Sequence, residues 1–224
     1  MKKLKMFIPF CVLVIGLMLT SSAQSSTYTF SPIPADLNDL DHSYYYEWGI
    51  KWDLPNNEII TGAVIKYYDI YNWFSESNDR LYTNLLNSVF DTSAPDSSIY
   101  KLINKGDYSY WTYTKRRPDS QSNGNAFSDP TNAYNIVPYP GYWTDPDDNV
   151  SSTPLSYSIP SDHYSWISDG NFGFGIDPDC HYYNTKIEFE IITTTTPVPE
   201  PASMLLLGSG LIGLAGFARK KFKK

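Results

Sequence analysis

The nine residues Tyr44-Tyr45-Tyr46-Glu47-Trp48-Gly49-Ile50-Lys51-Trp52 alternate, imperfectly, in the way that a half-buried extended chain requires. Successive side chains of a strand point to opposite faces, so Tyr46, Trp48, Ile50 and Trp52 share one face and can be covered together. Outward from this stretch the same signature recurs. Ile59 to Tyr71 carries Ile60, Ala63, Ile65, Tyr67 and Ile70, and further strands are predicted at Leu81 to Leu86, Tyr108 to Thr114, Ser156 to Ile159, Asn171 to Ile176 and Lys186 to Thr194. Turn-forming clusters separate them: Pro55-Asn56-Asn57, Ala94-Pro95-Asp96, Asn104-Lys105-Gly106-Asp107 and Asp169-Gly170-Asn171.

Only Asp79 to Val89 places apolar residues near helical spacing (Leu81, Leu85, Leu86, Val89), and its Thr and Asn content suits a strand equally. Many short strands divided by Gly and Pro turns, in a chain with 19 Tyr, 11 Phe and 6 Trp, predict an all-β fold: a single β-sandwich, jelly-roll-like. Gln121 to Pro154 is rich in Asp, Asn, Ser and Pro and reads as a long surface loop.

Both ends differ from the middle. Residues 1–23 have a basic start (Lys2, Lys3, Lys5), an apolar run from Met6 to Leu19 and a small-residue site ending at Ala23, which together read as a signal peptide cut after Ala23 by signal peptidase. Cys11 leaves with it. The β-sandwich is assigned to residues 24–192, and 193–198, within the Thr/Pro-rich TTTTPVP, read as an extended linker. At 199–224 the triplet Pro199-Glu200-Pro201 precedes an uncharged run from Ala202 to Ala218 and a basic end, Arg219, Lys220, Lys221, Lys223 and Lys224. A run of about 17 apolar residues is at the lower limit for a transmembrane helix, and the basic cluster favours a cytoplasmic C-terminus.

The order of triplet, short span and basic end resembles the PEP-CTERM sorting signal. That resemblance implies an exosortase-type membrane peptidase as partner, acting at or near Pro199, Glu200 and Pro201, and an inner-membrane-anchored precursor that ends at the cell surface or outside the cell. The stretches LNDLDHSYYYEWGI and GFGIDPDCHYYN also look like those of other β-sandwich domains that carry this tail.

Without its two ends the chain keeps nine basic and 23 acidic residues, a net charge of −14 against −7 for the whole. Such a surface repels nucleic acid and attracts divalent cations. Asp39 and Asp41 before the Tyr44 strand, and Asp177 and Asp179 after the Asn171 strand, are the predicted metal ligands, with Ca²⁺ the cofactor their oxygens suit. The alternative is that these aspartates cap turns. Zinc is disfavoured: Cys180 and His181 are adjacent and point to opposite faces, with His42 and His163 the remaining histidines. Asp145-Pro146-Asp147-Asp148-Asn149 is not an EF-hand, since Val150 and Ser156 stand where Gly and Glu are required. Gly208-Ser209-Gly210 lacks the nucleophile-elbow spacing, and acids around Cys180 oppose thiolate formation.

The expectation is therefore a non-enzymatic exported protein of the extracellular polysaccharide matrix or cell envelope. A second reading is a carbohydrate-binding module for exopolysaccharide, with Tyr139, Tyr142 and Trp143 as stacking residues in a loop with Pro138, Pro140 and Gly141. A third is a hydrolase, for which 23 acids offer many carboxylate pairs and the sequence selects none.

Overall fold

The computed structural model describes residues 23–72, 79–89, 99–119, 125–137, 154–196, 208–214 and 218. The chain forms two compact units, Ser25–Thr194 and the two ends, Met1–Gln24 with Thr195–Lys224. The first is all-β. Its strands are β1 (Ser25–Phe30), β2 (Tyr44–Lys51), β3 (Glu58–Tyr68), β4 (Tyr71–Asn72), β5 (Leu81–Leu86) and β6 (Ile99–Asn104). They continue with β7 (Ser109–Pro118), β8 (Ala133–Val137), β9 (Leu155–Ser158), β10 (Asn171–Pro178), β11 (Tyr182–Tyr183) and β12 (Lys186–Thr195). A single-turn helix, α1 (Tyr164–Ser168), precedes β10.

One sheet has the order β1-β12-β3-β9, a second β6-β7-β2-β10-β5-β8, and β11 pairs with β4 alone. Every named pairing is antiparallel. The two larger sheets meet through aromatic rings: Phe30 of β1 lies 4.9 Å from Tyr110 of β7, and Phe189 of β12 lies 4.8 Å from Phe174 of β10. Tyr46, Trp48 and Ile50 enter this layer from β2, and Ala63, Ile65 and Tyr67 from β3, as their alternation requires. The result is a β-sandwich-like all-β body.

Polar groups drawn into the layer are paired across it. The Tyr67 and Thr83 hydroxyls lie 2.7 Å apart between β3 and β5, both buried. Trp48 Nε1 donates to Thr112 Oγ1 at 3.0 Å. Tyr108 accepts from the Thr29 N–H and donates to the Thr29 carbonyl, each at 2.7 Å, which ties β1 to the turn leading into β7. Unpaired, each would cost about 1–3 kcal/mol.

Leu81 to Leu86 is the predicted strand and not the helix that its spacing also allowed, because both of its faces are covered: Leu81 and Leu85 lie in the core, while Asn84 and Leu86 are buried beneath the 125–133 segment. Two expectations change. The predicted loop 121–154 contains β8, which pairs with β5. The expected linker start at Thr193 lies inside β12, where Thr193 is fully buried and its hydroxyl bonds Glu58.

In the other unit, Gln24 and Thr195 exchange two hydrogen bonds of 2.9 Å, and residues 208–214 are helical. Among the described residues no helix is long and apolar enough to cross a membrane. The signal segment 1–22, the triplet Pro199-Glu200-Pro201 and most of the run from Ala202 to Ala218 lie outside the described residues.

Candidate functional site

The four predicted metal ligands do not converge. Asp39 follows Leu37 and Asn38 in a turn where all three have positive φ, and its carbonyl accepts from the Tyr46 hydroxyl at 3.0 Å. Asp41 Oδ1 accepts from the Ser43 N–H at 2.8 Å and lies beside His42 and His181. Burial pushes the Asp41 carboxyl up, but the Ser43 N–H and hydroxyl outweigh it and hold the group below its ordinary range. Asp177, by contrast, is buried on β10 with Oδ2 accepting from the Ala126 N–H at 2.6 Å, and it shares its surroundings with Asp119 and Asp179. Among the described residues no three His, Cys, Asp or Glu side chains form a group able to hold a metal ion. The Asp41 carboxylate caps a turn and that of Asp177 holds the segment at Ala126, and among the described residues the expected Ca²⁺ ligand set is not assembled. Cys180 packs partly buried against the core. Tyr139, Tyr142 and Trp143 lie outside the described residues.

A site of a different kind occupies the outer face of the six-stranded sheet. On β7, Tyr110, Thr112 and Thr114 face inward, so Tyr113, Lys115 and Arg117 face out. Glu47 of β2 stands directly opposite Lys115 in the ladder. In the centre of the sheet β10 offers Gly173 and Gly175 to the same face. A Cβ on Gly175 would sit 2.5 Å from the Phe127 ring, and one on Gly173 would sit 2.3 Å from the Trp48 carbonyl oxygen. The absent side chains let the segment around Phe127 lie directly on the sheet.

That segment is pinned at several points. Asn84 and Asn125 exchange amide hydrogen bonds of 3.0 and 2.9 Å, and Asn84 also donates to the Gly175 carbonyl at 3.2 Å. The Phe127 N–H donates to Asn125 Oδ1 at 3.0 Å, and its ring meets Tyr45 edge-on at 5.5 Å. Phe127 thereby stands between two cavities, both of which it lines together with Ala133. One, of about 300 Å³, is walled by Glu47, Tyr113, Lys115 and Arg117. The other, of about 500 Å³, is walled by Tyr134, Asn135, His163 and Trp166. Tyr134 and His163 lie against each other, tilted by 33°, with ring centroids 3.8 Å apart, and Trp166 meets His163 edge-on at 5.1 Å. Rings beside amides and charged groups, open to solvent, can hold a polar ring-shaped ligand by its face and its rim.

Two signals in the sequence could have pointed to this face. Phe172-Gly173-Phe174-Gly175 puts both glycines on one side of a strand, and Lys115-Arg116-Arg117 gathers three of the nine basic residues left after the ends are removed.

The tail is the part of the chain that matches a known family model. Residues 197–220 match the PEP-CTERM protein-sorting motif. The PEP-CTERM motif implies export, a membrane-anchored sorting precursor and processing by exosortase-type machinery. It spans the triplet, the apolar run and the first basic residues. No curated protein and no solved structure matches the chain.

Proposed function

We propose that this is a non-enzymatic exported protein, delivered through its PEP-CTERM tail to the cell surface or the extracellular polysaccharide matrix, where the β-sandwich is the working part. The observation that carries this reading is the sorting motif at 197–220 placed directly behind a body whose last strand ends at Thr195. Strand order supports a jelly roll: β1-β12-β3-β9 faces β2-β10-β5-β8, and all connections among these eight cross between sheets except β5 to β8, with β6 and β7 added at the β2 edge. The signal peptide, cut after Ala23, and the transmembrane run complete the sorting reading. Replacing Pro199-Glu200-Pro201 with alanines tests it. Fractionation and mass spectrometry should find an inserted precursor that is not released, and normal release of the triple-alanine form would overturn the reading.

A second reading, a carbohydrate-binding module, is favoured by the ring-lined cavity of Phe127, Tyr134, His163 and Trp166. Tyr134→Ala should weaken binding to the host's exopolysaccharide in a pull-down while leaving the melting temperature within a few degrees.

A further inference from the structure

We infer that the cavity walled by Lys115, Arg117, Glu47 and Tyr113 seats the carboxylate of an acidic saccharide whose neighbouring ring lies past Phe127 on the Tyr134 side. This rests on the carbohydrate-binding reading and names its ligand class.

Lys115 carries the argument. The residue is 5 % exposed, yet it lines the 300 Å³ cavity, so what exposure it has is toward that space. Among the described residues no carboxylate lies within ion-pair distance of its ammonium: Lys66 pairs with Glu190 and Lys186 with Glu188, while Lys115 has no such contact. The ammonium is not fully buried, so it meets water through that cavity, and a carboxylate bound there takes the water's place in a charge-assisted hydrogen bond. Glu47 stands opposite Lys115 in the ladder but forms no ion pair with it, so it remains an acceptor for sugar hydroxyls. Arg117, exposed at the rim of the same cavity, presents the planar fork that suits a carboxylate. Two cations, with the carboxylates of Glu47 and Asp129 as acceptors, around the flat wall of Tyr113 match a pyranose that bears one carboxylate and several hydroxyls.

The geometry extends beyond one ring. Because Phe127 and Ala133 border both cavities, a short chain can cross Phe127 with its charged unit against Lys115 and a neighbouring unit beside Tyr134 and Trp166. The −14 charge of the body opposes long polyanions at range, so the contact is to one carboxylate and a short oligomer is the suitable probe.

The test uses the full-length chain in detergent, titrated calorimetrically with a hexuronic-acid tetrasaccharide, with the same tetrasaccharide after reduction of its carboxyls to alcohols, and with acetate. The acidic form should bind about ten-fold or more tightly than the reduced form. Lys115→Met, which keeps the buried stem, should erase that preference, and the exposed Arg117→Gln should diminish it. Equal binding of acidic and reduced sugars, or a preference that survives both substitutions, overturns the inference and leaves the carbohydrate-binding reading standing. Acetate competing as well as the uronide at equal concentration overturns it in favour of a simple anion site. Absence of binding to either sugar overturns both readings.

Discussion

Asp177 accepts the Ala126 N–H through Oδ2 at 2.6 Å while its Oδ1 is buried and, among the described residues, without a partner. Burial pushes this carboxyl up to about 6 against the pull of the Ala126 N–H, and the charges of Asp119 and Asp179 add to the rise. Burial does the same to Asp179, also to about 6, opposed by Arg80. A folded-state value above the unfolded one, about 3.9, means that the folded state holds the proton more tightly. The stability so contributed is complete below about pH 4 and lost as pH rises through 6. The melting temperature should therefore be higher at pH 5 than at pH 7.5, by roughly 2 kcal/mol or about 4–8 °C. Asp177→Asn should flatten that slope, as differential scanning calorimetry across the range would record.

Gly173 and Gly175 should respond differently to a methyl group. At Gly173 the obstacle is backbone, the Trp48 carbonyl oxygen at 2.3 Å, so the strand pair itself must move. At Gly175 it is the Phe127 ring on a surface segment. Gly173→Ala should cost about 2–3 kcal/mol. Gly175→Ala should cost less but displace Phe127, merging the two cavities and lowering saccharide affinity. Urea unfolding and sugar binding, measured on both variants, separate the two effects.

The hydroxyl pair of Tyr67 and Thr83 joins the two sheets where water cannot reach. Tyr67→Phe leaves Thr83 buried with a lost partner, and stability should fall by about 1–2 kcal/mol. Tyr67→Phe combined with Thr83→Val removes both polar groups and should recover part of that loss, which a double-mutant cycle by chemical denaturation would measure.

The end of β12 gives a boundary that truncation can check. A chain stopped after Thr196 keeps Thr193, whose hydroxyl bonds Glu58, and the pairing of Ser25 with Thr194. Its melting temperature should match that of the processed protein within about 2 °C. Stopping after Ile192 removes both features and should lower it by about 5 °C or more.

The parts legible in the sequence were those in which a local pattern fixes the outcome. The Tyr46, Trp48, Ile50 alternation follows from the geometry of a strand, and the order of triplet, apolar run and basic end is written contiguously. β8 was missed because Ala133–Val137 holds its place through pairing with β5 rather than through apolar periodicity. Thr193 to Thr195 read as linker for a similar reason: the hydroxyl of Thr193 bonds Glu58, 135 positions away. The outer-face site was only hinted at by Gly173, Gly175 and the Lys115 to Arg117 run, because it joins Glu47, Lys115 and Phe127, three points that only the sheet order makes neighbours. The aspartate pairs misled because spacing shows where carboxylates occur and not which turn or loop each one holds.

The position of the last strand sets a timetable. β12 lies between β1 and β3, so the smaller sheet has no continuous ladder until residues 186–195 have arrived. Its partner β1 is the first strand among the described residues, and closure over so long a separation is slow compared with local hairpin formation. A chain threaded outward from its N-terminus therefore remains open, and able to pass a narrow channel, until its final strand emerges. The sorting motif begins at residue 197, directly behind that strand, so completion of the fold and arrival of the processing signal at the membrane become nearly the same event.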